Sequence, residues 1–306
     1  MLDILLPLNR ASTYLEDSLN SIREAQQQLL EKLKYDSELI LILNGINDHD
    51  INKIKSIVKR IKLTNYRIIS SDEYGISNAL NRGIKDSNSR FIARADDDDL
   101  VMKDRFVRQI ETMISDRSLL LVGTDAILID ARGENLGKLR HPKSYSDIRE
   151  FLLFQNCFVH SSVIFRRDIL EEVGLYRPDL DGIEDYDLWY RMSSRGKVIN
   201  LPEYLVKHRI HDKQTTHALN PESSLQLREF FLSNFDVTRK GIELSYKRKL
   251  RLSHSLLALA LSRKCLSMKT KKRVLALPYL FKSWILSPVF STKIFLRILR
   301  FKYFSS

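Results

Sequence analysis

Short apolar runs alternate with longer amphipathic segments over the first hundred residues of the chain. The apolar runs predict four strands, at residues 2–8, 38–44, 66–70 and 90–95. Apolar side chains recur at helical spacing between them, which predicts three helices, at residues 13–33, 51–61 and 75–87. Such alternation of strands and helices is typical of an α/β domain with a mostly parallel, doubly wound sheet.

The first predicted helix carries a start signal, whereas the later chain is less regular. Thr13 and Glu16 have the spacing of a capping box. Residues 119–130 predict one or two further strands, and the chain past residue 220 predicts helices. Residues 140–215 mix charged and aromatic side chains without a clear period, and long irregular segments of a compact domain usually carry function.

Composition and charge narrow the class of protein. With 306 residues, of which 43% are hydrophobic, the chain can bury one large core with an appended piece. Cys157 and Cys265 are too few for a disulfide framework, so we expect a reducing compartment and packing roles for both. The N-terminal residues predict a first strand rather than a signal peptide. The sequence contains no run of 18 apolar residues, so no membrane span is predicted.

The net charge of +12 lies at one end of the chain. Residues 241–306 contain 15 Lys and Arg and a single acid, Glu243, whereas the first 240 residues are close to neutral. The basic segment is also rich in Leu and Ile and is interrupted by Pro278 and Pro288. It therefore predicts an in-plane contact with anionic lipid, with a helical cap on the preceding domain as the alternative.

Four adjacent carboxylates, Asp96 to Asp99, follow the fourth predicted strand directly. Open α/β sheets bind ligands at the carboxyl ends of their strands, and crowded like charges at that place favour a divalent cation. Asp96 and Asp98 are two residues apart, so on an extended chain they point the same way, and Arg94 on that face could pair with a phosphate. The alternative is a solvated loop, or acids at the start of a helix over residues 102–113.

A second acidic group stands in the sequence DGIEDYDLWYRM. Glu184 and Asp185 lie beside aromatic residues, which would desolvate a carboxylate, raise its pKa and suit it as a general base. The alternative is an ordinary amphipathic helix start, in which Leu188 and Met192 point inward and acids such as Asp187 point outward.

From about residue 2 to residue 216 the chain resembles glycosyltransferase family 2, the inverting enzymes with the GT-A fold. LLPLNR resembles the family's opening strand and turn, with Leu8 where the family usually has a Tyr. LILNGINDHD resembles a later family segment, with Leu43 and Asn44 where the family has a pair of acids. GISNALNRGI, RFIARADDDDL and the stretch ending in EDYDLW follow in the family's order, and HRIHDKQTT has His208 where a Tyr is usual.

The resemblance implies a fold and a domain division. The fold is expected to be α/β of the GT-A type, with a Rossmann-like, mostly parallel central sheet flanked by helices and a C-terminal helical extension. Residues 1–218 would form the catalytic domain, with a nucleotide-sugar half over 1–100 and an acceptor half over 101–218. Residues 219–306 would form a basic helical region that associates with the membrane.

The resemblance also implies a site and a mechanism. Mn²⁺ or Mg²⁺ would be held by the Asp96-x-Asp98 motif, with His211 as a third ligand or phosphate contact. Asp185 would be the general base, with Glu184 orienting it or binding the acceptor. The donor would contact a further set of residues: Pro7, Asn9, Asn44, Asn78, Arg82, Arg94, Asp96 and Asp97. His160 and Trp189 would line the acceptor pocket, with simple packing as the alternative for each.

The implied partners are a nucleotide-sugar, most often a UDP-sugar in this family, and a lipid-linked saccharide of bacterial surface polysaccharide synthesis (O-antigen, capsule or lipopolysaccharide). The enzyme would be cytoplasmic and peripheral on the inner face of the plasma membrane, with no nucleic-acid partner. Two alternatives stay open: a sugar-nucleotide nucleotidyltransferase, and a nucleic-acid-binding protein that uses its basic tail. A non-catalytic family member is disfavoured by Asp98 and Asp185.

Overall fold

A computed structural model describes residues 1–152 and 156–211 of the chain. The strands of these residues are β1 (Leu2–Leu8), β2 (Ser37–Asn44), β3 (Tyr66–Ser71), β4 (Phe91–Arg94), β5 (Leu100–Val101), β6 (Leu119–Ile129), β7 (Asn135–Leu139), β8 (Ile164–Arg166) and β9 (Lys197–Arg209). The α-helices are α1 (Leu15–Leu33), α2 (Asp48–Arg60), α3 (Ile76–Asp86), α4 (Arg105–Ser115), α5 (Tyr145–Phe151), α6 (Ile169–Val173) and α7 (Glu184–Ser193).

The strands form one mixed sheet in the order β3-β2-β1-β4-β8-β6-β9-β5, with β7 paired to β6. The first four strands of that order are mutually parallel and are joined by α1, α2 and α3. Beyond them β8 is antiparallel to both β4 and β6, β9 is parallel to β6, and β5 is antiparallel to β9. The predicted α/β class with a central parallel sheet is confirmed.

The central strands are mostly apolar because both of their faces are covered. Leu2, Ile4, Leu5 and Leu6 of β1 are all buried, as are residues 39–43 of β2, which is the pattern of a parallel strand between two helical layers. Burial of each such leucine or isoleucine stabilises the fold by about 1.5–3 kcal/mol relative to an exposed side chain. This core fixes the carboxyl ends of the strands, where the acidic residues follow.

The predicted capping box at the start of α1 is wrong. The helix begins after Tyr14, and no side chain caps its first turn. Ser12 Oγ instead accepts a hydrogen bond from the Tyr14 amide at 3.3 Å. Glu16 turns away from the helix start and pairs with Arg60 of α2, whose Nε lies 2.8 Å from Glu16 Oε1. A cross-helix ion pair has replaced the reciprocal cap.

The prediction that Asp187 points outward from its helix is also wrong. Asp187 is fully buried in α7 and pairs with Arg191, one turn along, at 2.5 Å, and with Arg177 at 3.3 Å. Arg191 in turn donates to the carbonyl oxygens of Val173, Gly174 and Leu175. The acid therefore anchors the turn after α6 to the helix that begins with Glu184 and Asp185.

The described residues fall within one compact unit, Met1–Gln214. The predicted division of the catalytic domain at residue 100 falls at β5, and the predicted basic region over residues 219–306 lies outside the described residues. Within residues 1–152 and 156–211, no helix has both the length and the apolar character needed to cross a membrane.

Candidate functional site

The acidic run lies in a bend between β4 and β5 rather than on an extended strand. The sequence argument that Asp96 and Asp98 share a face of a strand therefore does not hold. The bend nevertheless gathers three carboxylates, because oxygens of Asp96, Asp98 and Asp99 all lie within 4.8 Å of one another. Asp99, to which the sequence analysis gave no separate role, is part of the cluster.

Arg94 lies beneath this cluster. Its guanidinium is almost fully buried and donates to Asp96 Oδ1 at 2.5 Å and to the carbonyl oxygen of Ala95. Burial opposes ionisation of Asp96, but the positive charge of Arg94, the largest opposing cause, helps to lower the pKa of this carboxyl below its usual range. Asp96 is thus ionised at neutral pH and is paired with Arg94.

Asp98 is the most crowded acid of the cluster. Burial, followed by the charges of Asp96, Asp99 and Asp97, raises the pKa of the Asp98 carboxyl to about 8. Burial also raises the pKa of Asp97. His211 lies beside the cluster as predicted, with Nε2 at 2.9 Å from Asp98 Oδ2.

Asp99 is held by β9 and by the segment before β8. Its carboxylate accepts hydrogen bonds from Ser161 Oγ and, at 2.8 Å, from the amide of Arg209, and it lies 3.0 Å from His208 Nδ1. Burial lowers the pKa of His208, but the Asp99 carboxylate outweighs burial and raises this pKa to about 9. Asp99 therefore joins the acidic bend to the end of β9.

The donor set suits a hard divalent cation. Three carboxylates provide oxygen atoms, which Mg²⁺ and Mn²⁺ prefer, and a histidine nitrogen is within reach of the same cluster. The raised pKa of Asp98 arises first from burial and then from like charges, and a bound cation would offset the repulsion between those charges. The residues present thus fit the expected metal.

The second acidic pair stands at the start of α7. Glu184 Oε2 accepts from the Gly182 amide at 2.5 Å, and burial together with Asp185 raises the pKa of Glu184 to about 8. Asp185 accepts from the Tyr186 amide and from Asn156 Nδ2, both at 2.6 Å. Burial raises the pKa of Asp185 to about 6, while those two hydrogen bonds lower it. Asn156 carried no sequence signal for this contact.

His160 lies beside the second acidic pair, and the next residue, Ser161, donates to Asp99 of the first group. Its Nε2 is 3.1 Å from the Tyr176 hydroxyl, and its Nδ1 is 3.8 Å from Glu184 Oε1. Burial and then the charge of Arg94 lower the pKa of His160 to about 3, so the ring is neutral. The charge of Asp96 acts on both His160 and Asp185, which shows that the two acidic groups are electrostatic neighbours.

Trp189 does not line a pocket in the structure. Its side chain has no exposed surface, and its ring packs against His160 at 5.8 Å and against Phe158, Phe165 and Tyr176 at 5.7–6.3 Å. Trp189 supports His160 from behind, so the acceptor-lining prediction for Trp189 is corrected to a packing role.

Most of the residues predicted to contact the nucleotide-sugar donor lie at the carboxyl edge of the sheet, but one does not. Pro7 is half-buried near the end of β1 and Asn9 is exposed just after it, so both lie at the carboxyl edge that also carries Asp96 and Asp97. Asn44 ends β2 at the same edge, and Asn78 lies in the first turn of α3.

Arg82 is the exception among the predicted donor contacts. It lies two turns along α3 and pairs with Asp86 at 3.9 Å. Asp86 also accepts a hydrogen bond from Arg67, the second residue of β3. Arg67 therefore lies at the amino ends of the strands, on the side of the sheet opposite the carboxyl edge. Because α3 runs away from the carboxyl edge, Arg82 is not brought to the acidic cluster.

Solved structures with the same fold are glycosyltransferases. S. aureus TarS in complex with UDP-GlcNAc superposes with a TM-score of 0.59 at 13% identity, over 92% of this chain and 81% of that chain. The mannosyltransferase PcManGT from Pyrobaculum calidifontis, in complex with GDP-Man and Mn²⁺, gives 0.57 at 14% identity, over 96% and 86%. The fold is therefore the GT-A fold.

Sequence similarity gives the family. The model of glycosyl transferase family 2 matches residues 4–174, and the chain belongs to this family and is a glycosyltransferase. The O-antigen biosynthesis glycosyltransferase WbnJ of Escherichia coli is 32% identical over 75% of this chain and 89% of its own length. The amylovoran biosynthesis glycosyltransferase AmsE of Erwinia amylovora is 30% identical over 65% of this chain and 74% of its own length.

Proposed function

We propose that this enzyme is an inverting glycosyltransferase that moves a sugar from a nucleoside-diphosphate sugar to a hydroxyl group of a lipid-linked saccharide. The observation that carries the proposal is that the carboxylate cluster and the buried pair of Glu184 and Asp185 meet at one segment: Ser161 Oγ donates to Asp99, and Nδ1 of the adjacent His160 lies 3.8 Å from Glu184 Oε1. Relatives named for O-antigen and amylovoran biosynthesis support a role in surface polysaccharide synthesis.

The acidic bend would serve the leaving group. Asp96 and Asp98 would hold Mn²⁺ or Mg²⁺, with His211 beside them, while Asp99 keeps the bend in place through Ser161 and β9. When bound, the cation supplies positive charge that neutralises the departing nucleoside diphosphate and orients it. The two fold neighbours, solved with UDP-GlcNAc and with GDP-Man and Mn²⁺, support a donor of this class, and we favour a UDP-sugar.

Asp185 would act on the acceptor. With a pKa near 6, its carboxylate is ionised at neutral pH and can accept the proton of the acceptor hydroxyl as that oxygen bonds to the anomeric carbon. The bond from the anomeric carbon to the diphosphate oxygen breaks on the opposite side, so the configuration inverts. Attack is direct, so one base suffices. Glu184, protonated at neutral pH, would donate a hydrogen bond to the acceptor.

We further propose that the enzyme works at the cytoplasmic face of a bacterial membrane. The excess of positive charge in residues 241–306 supports attraction to anionic lipid, where a lipid-linked acceptor is found. The match to a glycosyltransferase family favours sugar transfer over the nucleotidyltransferase alternative. The Leu, Ile and Pro content of the basic segment favours lipid over nucleic acid as its partner.

A donor screen tests the proposed function. Nucleoside-diphosphate sugars are added singly to the full-length protein with Mn²⁺ or with a chelator, and the melting temperature is measured. A true donor should raise the melting temperature in the presence of Mn²⁺, because a ligand that binds only the folded state stabilises it. Asp98→Ala should remove the metal-dependent part of that rise. Equal shifts with Mn²⁺ and with chelator would contradict the metal assignment, and no shift with any donor would contradict the function.

A further inference from the structure

Tyr74, in the turn between β3 and α3, is an exposed aromatic residue on a fixed support. Its side chain is 74% exposed, the highest value among the large apolar side chains of the described ranges. One edge of its ring rests on Gly45, since a Cβ on that glycine would stand 2.6 Å from Tyr74 Cδ2. Gly45 has a φ of +62°, so both its conformation and the contact favour glycine. The ring therefore packs against the backbone of Gly45 along one edge and is otherwise exposed to solvent.

Hydrogen bonds hold the backbone on both sides of Tyr74. Asn44 Nδ2 donates to the carbonyl oxygen of Glu73 at 2.6 Å, and Asn44 Oδ1 accepts from the Gly75 amide at 3.0 Å. Asn78 Nδ2 donates to the carbonyl oxygen of Tyr74 itself at 2.9 Å. Two predicted donor residues, Asn44 and Asn78, therefore fix this turn.

The same turn is joined to the segment that leads into α7. Asp181 Oδ1 accepts from the Ser77 amide at 3.1 Å, and its Oδ2 would stand 2.6 Å from a Cβ on Gly75. Gly75 has a φ of +115°, which again favours glycine. The position of Tyr74 is thus set by β2, by α3 and by the residues just before Glu184 and Asp185.

The location of Tyr74 relates it to the acidic bend. Tyr74 contacts the end of β2 and follows β3, whereas the bend follows β4, and the sheet order is β3-β2-β1-β4. Adjacent strands lie about 4.8 Å apart, so two to three strand spacings separate the two features by roughly 10–14 Å along one edge of the sheet. An extended nucleoside diphosphate, with its phosphates at the bend, reaches that far.

We propose that Tyr74 is the stacking platform for the nucleobase of the donor, and so a donor-binding residue. This inference rests on the proposed function, and it assigns the base-binding role to the β3–α3 turn. The face of an aromatic ring attracts the flat face of any base, and a ring already held in place loses little conformational entropy on binding. Because Tyr74 buries little of its own surface, its removal should leave the fold intact.

Calorimetric titration of the full-length protein tests this assignment. Three proteins are compared in the presence of Mn²⁺: wild type, Tyr74→Ala and Tyr74→Phe. Each is titrated with UDP, GDP, CDP and dTDP, and also with pyrophosphate, which has no base. For whichever nucleotide wild type binds, Tyr74→Ala should weaken affinity by about 5- to 100-fold, and Tyr74→Phe by less than about twofold. Pyrophosphate affinity should not change. Leu136→Ala, which truncates another exposed apolar side chain, is the matched control and should bind as wild type does.

The outcomes separate the two proposals. If wild type binds a nucleoside diphosphate and Tyr74→Ala binds it equally well, or loses pyrophosphate affinity to the same extent, the assignment of Tyr74 is overturned while the proposed function stands. If wild type binds none of the four nucleotides, the proposed function falls, and the assignment with it.

Discussion

At the scale of single residues, the surroundings of each carboxylate shift its pKa differently. Asp96 has a lowered pKa because a buried guanidinium lies against it, whereas burial raises the pKa of Asp185 to about 6 and of Glu184 to about 8. Neighbouring groups whose pKa values are moved apart in this way can divide the roles of ligand, base and hydrogen-bond donor among identical functional groups.

Replacement of Asp185 by asparagine should remove the base while keeping its shape. We expect the turnover number of Asp185→Asn to fall by about 10²–10⁴, with donor affinity within about twofold of wild type. Turnover is measured by release of nucleoside diphosphate, and affinity by titration. Asp179→Asn, a nearby exposed acid, serves as the control and should be unaffected. Undiminished turnover in Asp185→Asn would remove this residue as the base.

The contact between Asn156 and Asp185 predicts a shift in pH dependence. In wild type, kcat/KM should rise as Asp185 ionises near pH 6 and fall again as Glu184 loses its proton near pH 8. The Asn156 hydrogen bond favours the charged form of Asp185, so Asn156→Ala should move the rise to higher pH. The measurement is kcat/KM between pH 5 and 9. A uniform loss at every pH, without displacement of the rise, would show that Asn156 acts only through the fold.

Sequence alone pointed to the residues of the candidate site that stand in unusual local groups, but not to those brought in by long-range contacts. Asp96, Asp98, Asp185 and Glu184 stand in short acidic groups whose composition is unusual. The contacts of Asp99 with Ser161 and His208 join positions 62 and 109 residues apart, and no local pattern encodes them.

At the scale of elements, regular periodicity was a sufficient guide where the sheet is parallel. The four strands and three helices predicted in the first hundred residues are all present. Three of these strands, β1, β2 and β4, are mostly apolar and buried, as expected for strands covered on both faces, whereas the edge strand β3 is only half-buried. The single long strand β6 and the short strands β7 and β8 lie in mixed pairings, where exposure differs from residue to residue. The predicted cap of α1 failed because Glu16 had a better partner in Arg60.

The buried acid of α7 gives a prediction about this element. Asp187→Ala would leave Arg191 and Arg177 without their carboxylate, and loss of one partner of a buried ion pair costs about 3–5 kcal/mol. We expect a lower melting temperature and, because α7 carries Asp185, reduced turnover. Glu171→Ala, an exposed acid of α6, is the control for loss of a charge. A melting temperature equal to that of wild type would mean that the arginines find other partners.

At the scale of the whole molecule, charge divides the chain into a nearly neutral part and a strongly basic end. Removal of the segment from about residue 270 should reduce flotation with liposomes that contain anionic lipid, because each base near such a surface contributes roughly 1 kcal/mol. Liposomes of neutral lipid are the control. Equal flotation of the truncated and full-length proteins on anionic liposomes would rule out the segment as the membrane contact.

The last strand has a consequence for dissecting this enzyme. The match to the family model stops at residue 174, yet β9 contributes His208 and Arg209 to the acidic bend, and His211 follows two residues later. A fragment cut at the family boundary would lose α7 with Asp185, and it would leave the three crowded acids with Arg94 but without His208, Arg209 and His211. The smallest piece that can be assayed meaningfully must therefore run through residue 211, and deletion libraries that stop earlier will report misfolding rather than chemistry.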